Sequence, residues 1–433
     1  MLKSLIRKLI INPVTVLLSG AVASQMIQIF ATLFVARIFP PEYFGQWSLF
    51  VSIVAVLSIA ACLRLENAVI ISENEDKASQ LIKICVGSAF GVACLMYFVF
   101  LFLYVVDFDI IQRIKLIYLM PLSVVLASCG NVFVNLLLRQ ERYNQIALSK
   151  VLQSGSVAGL NLLMGGLYIF GLFGFGLQGE MLILSTLLGQ IVFCLYVLGK
   201  SNFRSQADKI ELTRQQSLQL VREFKDFPTF SLPEALVGQI AAQLPVYALA
   251  IITTDAILGQ YALAYKILML PIALLGGAMS KVNFRNFSKA YNEGVPLLNK
   301  VLIEWTKAFV MALPAAVFLF FVGEKLLTFV FGDKWDIAGE YLSLLAFPLA
   351  ITFIFSITSC LHVVLRLQHF SFGVAIVSLI CKLAVVYFFQ ENHFDMVFGI
   401  FMTDVLIVIL FNLFVLLVLL PKRQALRANF NLK

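Results

Sequence analysis

The stretch LGQYALAYK, residues 258–266, begins with the same Gly-Gln pair as FGQWSLFVS, residues 44–52, and ends on a lysine where the earlier copy has Ser52. Both stretches lie in long apolar runs. A lysine at a bilayer centre costs roughly 2.5–3.5 kcal/mol on insertion scales, so an intramembrane ammonium needs a partner or a wet cavity. The echo and the misplaced charge together pose the question of fold: why would a chain repeat itself 214 residues later and charge the second copy?

Working outward, the 433 residues are 61% hydrophobic and only 13% charged, with a mean hydropathy of +0.94. Soluble domains carry about 25% charged residues, so this is an integral membrane protein. Apolar runs long enough to cross roughly 30 Å of hydrocarbon predict spans at 14–36, 44–65, 81–106, 116–138, 151–170 and 177–198. Six more are predicted at 228–252, 257–280, 302–322, 339–361, 370–389 and 396–420. The first span has a basic start and an AVA that imitates a signal-peptidase site. Its apolar run continues past AVA to Ala36, which marks a retained membrane helix.

Twenty-five of the 32 Lys and Arg fall on the side shared by both termini, five on the other, and Lys266 and Lys382 inside spans. That asymmetry puts both termini in the cytoplasm. It also accounts for the net charge of +8 through anionic lipid, with no role for nucleic acid. The seven cysteines fall in the spans with no CxxC pair, and the three histidines show no metal spacing, so neither a cofactor nor a metal is expected.

The longest hydrophilic segment, 199–227, divides the spans six and six. The expected organisation is an N-terminal lobe at 1–198, a cytoplasmic linker at 199–227, a C-terminal lobe at 228–420 and a cytoplasmic tail at 421–433. The linker is too short for a catalytic domain, though it has room for an amphipathic helix. At the offset of 214, Gln25 pairs with Gln239, Gly45 and Gln46 with Gly259 and Gln260, and Trp47 with Tyr261. A second anchor places Pro121 and Leu122 before Arg139 as Pro348 and Leu349 stand before Arg366, at an offset of 227. The extra thirteen residues fit best around FVGEKLLTFVFGDKWDIAG. Each half has an even number of spans, so both copies enter the membrane in one direction. The fold expected is therefore an all-α polytopic membrane protein, twelve helices in two six-helix lobes related as parallel repeats around a central cavity.

Residues out of place in hydrocarbon mark candidate sites. Lys266, flanked by Tyr261 and Tyr265 with Pro271 available to kink the helix, reads either as a lumen cation or as half of a structural contact between helices. Lys382 and Asp404 sit at similar depth on spans joined by a short loop, which predicts an ion pair. That pair is either structural or a means of coupling transport to an ion gradient. Arg64 and Glu66 close the second span at its cytoplasmic edge, where Arg64 can meet an incoming anion or simply anchor the helix. Glu234, Gln239 and Gln243 in the seventh span, Gln25 and Gln28 in the first, and Asn131 and Asn135 in the fourth suit helix association and sugar hydroxyls alike. The segments 139–150 and 281–294 read as basic cytoplasmic loops.

The run RIFPPEYFGQWSLF, then LRLENAVI, RQERYNQIALS, FPTFSLPEALVGQIAAQLPVYALA and FGDKWDIAGEYLSLLAFPL resembles the bacterial polysaccharide biosynthesis flippases of the Wzx type. These belong to the multidrug/oligosaccharidyl-lipid/polysaccharide exporter superfamily. The likeness extends from about residue 14 to 420; the segment MSKVNFRNFSK departs from it by lacking a proline after its aromatic pair. The resemblance implies alternating access and a substrate of oligosaccharide repeat units on undecaprenyl diphosphate, carried across the inner membrane for O-antigen, capsule or exopolysaccharide. It also implies a cationic lumen that Arg64, Lys266 and Lys382 would serve, and partners such as a polymerase and a chain-length regulator. The alternatives are a drug or organic-cation antiporter of the same superfamily, for which Asp404, Glu234 and Glu66 would be the coupling acids, and a membrane-embedded polymerase or acyltransferase. An enzyme would need reactive groups gathered at an interface, and no loop is large enough to carry them.

Overall fold

The computed structural model describes residues 13–105, 116–169, 180–201, 203, 213–365 and 367–420. Arg366 of the second repeat anchor, linker residues 204–212 and the tail 421–433 lie outside them. Among the described residues twelve long helices follow in the expected order: Pro13–Ile38, Pro41–Ala61, Glu75–Val105, Met120–Arg139, Tyr143–Ile169, Met181–Lys200, Leu232–Ile252, Asp255–Pro271, Leu298–Phe331, Asp336–Ser356, Gln368–Phe389 and His393–Leu419. Among the described residues eleven helices are long and apolar enough to cross a membrane. The fifth helix, Tyr143–Ile169, is not among them; it carries Asn144, Gln145, Lys150, Gln153 and Asn161.

Local chemistry sets the boundaries. Pro41 opens the second helix, where its missing N–H is no loss and its fixed φ suits the first turn. The twelfth helix starts at Asn392, whose side chain accepts from Phe394 N–H at 3.0 Å. The ninth ends at Gly332, whose φ of 99° is a conformation that L side chains rarely adopt. Within the linker, Arg214–Glu223 forms a helix, Thr213 N–H donating to Gln216 Oε1 at 3.1 Å. An ion pair of 2.8 Å from Lys77 to Glu223 ties it to the third span.

The structure corrects the reading of both basic loops. After Pro271 the eighth span passes through a π turn, Ile272–Gly276, and continues as helix Gly277–Asn292, so 281–292 is helical. Lys281, Arg285 and Lys289 recur every four residues on its exposed face, while Asn283, Phe287 and Ala290 are buried on the other. Polarity marks where this helix leaves hydrocarbon; its backbone hydrogen bonds carry on. In 139–150 only Gln140–Arg142 form a turn, Glu141 taking a φ of 56°, and Tyr143 begins the fifth helix. Arg139 does more than anchor. It bonds Glu75 Oε1 at 3.0 Å and the carbonyls of Val69, Ile70 and Ser72, closing the end of the short helix Ala68–Ile71.

The helices gather into two compact units. One takes the chain to Val246 and also includes Thr254–Gly259; the other comprises Tyr247–Thr253 and the chain from Gln260. In the first unit the third span packs on the fourth, the fifth on the sixth and the fourth on the sixth. Counterparts recur in the second: ninth on tenth, eleventh on twelfth, tenth on twelfth. These three shared pairings are the three-dimensional form of the repeat, while the packing of the first helix on the fifth belongs to the first unit.

Candidate functional site

The echoed Gly-Gln pairs have a structural purpose. Inside the first unit, a Cβ on Gly45 would lie 2.0 Å from the Asp255 carbonyl oxygen, and one on Gly259 only 1.8 Å from that of Pro41. The two glycines let the start of the eighth span touch the second, backbone to backbone. Gln46 Nε2 adds a bond of 3.0 Å to Asp255 Oδ2. Its counterpart Gln260, in the second unit, donates to Lys334 O at 2.6 Å and accepts from Ala338 N–H at 3.0 Å. Each repeated glutamine thus pins its span to the start of another helix, a role that spacing alone did not reveal.

Lys266 lies eleven residues along the eighth helix from Asp255 and is half-buried. One turn away, Tyr261 is 1% exposed, stacked on Tyr265 at 5.7 Å between ring centres and edge-on to Tyr341 at 5.6 Å. Tyr341 bonds His393 Nδ1 at 2.8 Å. Tyr261 is therefore a core residue of the second unit, whereas the half-buried Tyr265 packs its ring against Phe401. Beyond Lys266 the helix reaches Pro271 and the π turn, the local device that bends a helix. An apolar cavity of about 150 Å³ opens there, among Leu268, Pro271, Ile272, Ala312, Ala316 and Leu349. With no polar side chain among its lining residues, it is poorly suited to sugar hydroxyls.

The predicted pair forms: Lys382 Nζ lies 2.7 Å from Asp404 Oδ1, and Ser378 Oγ is 3.5 Å from the same oxygen. Lys382 is 3% exposed, while the Asp404 side chain keeps 34% of its surface. The amides divide. Gln28 Nε2 donates to Ser154 Oγ at 2.9 Å, and Ser154 meets Ser24 at 2.5 Å, so Gln28 holds the first helix to the fifth. Asn135 donates to the Glu66 carbonyl at 2.9 Å. Gln25, Gln239 and Gln243 are half-buried in their helices, and Asn131 and Glu234 are exposed.

At the end of the second span Leu63 and Arg64 both adopt left-handed backbone, φ 52° and 60°. Arg64 Nη1 stands 3.6 Å from Glu66 Oε1, with side-chain exposures of 31% and 12%. Burial pushes the Glu66 carboxyl above the usual carboxylate range, partly offset by its own backbone hydrogen bond and by Arg64.

The family described as "Polysaccharide biosynthesis protein" matches residues 34–340. The chain belongs to that family. A relative within polysaccharide metabolism is the teichuronic acid biosynthesis protein TuaB of Bacillus subtilis (strain 168), 28% identical over 127 residues. That match takes in 29% of this chain and 26% of the relative, so the chain spans about a quarter of that protein's length. Among solved structures, the lipid II flippase MurJ in an inward closed conformation superposes with a TM-score of 0.71 at 13% identity, over 90% of this chain and 86% of that one. An inward-facing multidrug resistance MATE family transporter of the MOP superfamily gives 0.68 at 17%, over 91% and 95%. At such identities the likeness is one of fold. This member of the polysaccharide biosynthesis family is a multi-pass membrane protein with the two-lobed helical fold of MOP transporters.

Proposed function

We propose that this protein is a flippase that carries oligosaccharide repeat units on undecaprenyl diphosphate from the inner to the outer leaflet of the bacterial cytoplasmic membrane. It would work by alternating access, with both termini cytoplasmic, alongside a polysaccharide polymerase. The observation that carries the reading is Lys266, a half-buried cation eleven residues inside a span of a polysaccharide biosynthesis protein. A lipid-linked sugar brings two demands. Its hydroxyls need partners that hydrocarbon does not offer, each unmet group costing several kcal/mol, and its diphosphate needs a positive charge within the membrane. Lys266 and Arg64 supply the charge on this reading, and half-buried amides such as Gln239 and Gln243 supply the partners. The membrane potential helps, favouring outward movement of an anion by about 2.3 kcal/mol per charge per 100 mV.

The organic-cation antiporter draws less support. Such a transporter needs available acid groups, and of the three candidates Asp404 is neutralised by Lys382 at 2.7 Å and Glu66 is enclosed beside Arg64, which leaves the exposed Glu234. A strain lacking the protein should accumulate lipid-linked repeat units on the inner leaflet, and Lys266→Ala should fail to restore surface polysaccharide. If that variant restores display in full while losing efflux of organic cations, the antiporter reading takes its place.

A further inference from the structure

The break after the second span is built from unfavourable parts. Residues with positive φ other than glycine are uncommon, and each is held there against its own preference. Here two stand in succession, Leu63 and Arg64, neither of them the Asn or Asp that tolerates this conformation best. They lead into the 3-10 turn Leu65–Asn67, so that Arg64 and Glu66 sit together. Strain of this kind persists only where the surroundings impose it, and it gathers where a site must be poised.

The ion pair is left incomplete. At 3.6 Å its contact is too long for a hydrogen bond, although a guanidinium and a carboxylate commonly join through two short parallel bonds. Arg64 Nε and Glu66 Oε2 are both buried without a hydrogen-bond partner in the protein, and Glu66 as a residue is only 9% exposed. Arg64, by contrast, keeps 31% of its side chain accessible. The arginine is thus within reach of an incoming group while its counter-charge is enclosed behind it.

We propose that Arg64 and Glu66 form a proton-linked anion site, in which the diphosphate of the carried lipid draws Arg64 away from Glu66 and Glu66 takes up one proton in exchange. The inference rests on the lipid-diphosphate reading above. The step is a proton transfer: as the diphosphate arrives, a hydronium ion or buffer acid gives up its proton, its bond to that proton breaking as an O–H bond forms on a Glu66 carboxylate oxygen, and the reverse transfer follows when the diphosphate departs. Arg64 is the charge that favours the ionised carboxylate; without it the enclosed Glu66 keeps only its own backbone hydrogen bond in support. Burial already pushes this carboxyl upward, so the neutral form follows once the arginine is engaged elsewhere.

From the fourth span Arg139 is held by Glu75 and Ser72, and Asn135, from the same helix, is neutral. The third span contributes the Cys85 thiol, which is close enough to feel the charge on Glu66. The short helix Ala68–Ile71 and the π turn Phe227–Ser231, both packed here, carry no titratable side chain.

The test uses the purified full-length protein in detergent and a short-chain prenyl diphospho-N-acetylglucosamine, whose phosphoryl groups have no proton to lose near neutrality. Titration calorimetry in buffers of different ionisation enthalpy should show close to one proton taken up per ligand bound. Affinity should fall by as much as about tenfold per pH unit once the free protein has lost the Glu66 proton. Glu66→Gln should still bind, with no net proton uptake and a flat pH profile; Arg64→Ala should bind more weakly and lose the uptake as well. Binding without proton uptake in the wild type, or the same uptake in Glu66→Gln, overturns the inference and leaves the flippase reading intact. No binding by the wild type at any pH overturns both.

Discussion

Asp404→Ala should destabilise the protein by about 3 kcal/mol, the lower end of the 3–5 kcal/mol range for breaking a buried ion pair. The lower end applies because the Asp404 side chain keeps 34% of its surface and part of its charge is screened. The loss is large because Lys382, 3% exposed, would stay buried while losing the carboxylate 2.7 Å away. Replacing both partners, as Lys382→Met with Asp404→Leu, should recover most of the loss, since apolar groups of similar volume often replace a buried pair at no net cost. Thermal unfolding in detergent micelles measures both. Equal destabilisation by the single and the double variant would mean that the ammonium left on Lys382 carries no penalty of its own. Transport by the double variant then separates the two roles that sequence left open: a stable protein that transports has a structural pair, and a stable protein that does not has a coupling pair.

Gly259→Ala should be nearly as damaging, although it adds a single methyl group to a helix. The new carbon would lie 1.8 Å from the Pro41 carbonyl oxygen and 2.9 Å from Gly45 N, both backbone atoms that cannot rotate away. Overpacking within a core usually costs about 1–3 kcal/mol, and a clash with backbone belongs at the top of that range. Gly45→Ala meets the Asp255 carbonyl at 2.0 Å and should behave alike. Gly87→Ala, inside the third helix with no neighbouring group within 4 Å of the added carbon, is the control and should keep or raise the melting temperature, since alanine suits a helix interior better than glycine. Unchanged melting of Gly259→Ala as well would show that the second helix and the start of the eighth do not meet as closely as described.

These two cases mark the reach of sequence reading. Hydrophobic runs revealed the long helices in order because a spanning helix must bury about twenty apolar residues in lipid, a condition that eleven of them meet among the described residues and the more polar fifth does not. Depth along neighbouring spans was enough to pair Lys382 with Asp404. The echo of Gly45-Gln46 at Gly259-Gln260 was visible, but not that the glycines touch, because contact depends on how the helices cross. The helix through Lys281, Arg285 and Lys289 went unread where hydropathy fell, although the four-residue spacing was there to find. Nothing in LRLENAVI betrayed the left-handed pair Leu63 and Arg64, since neither is a residue that favours such backbone, and the enclosure of Glu66 depends on helices far away in sequence.

The central claim is that a cation inside the eighth span helps a lipid diphosphate across the membrane. Its most direct measurement is translocation of a fluorescent lipid-diphospho-oligosaccharide across proteoliposomes holding the purified protein, followed by a membrane-impermeant quencher under an inside-negative potential. The wild type should move the lipid well above protein-free vesicles, and Lys266→Ala should move it about tenfold or more slowly, since a hydrogen bond to a charged group is worth about 1.5–3 kcal/mol. Wild-type protein that moves no more lipid than empty vesicles, or a Lys266→Ala variant that keeps the full rate, would contradict the account.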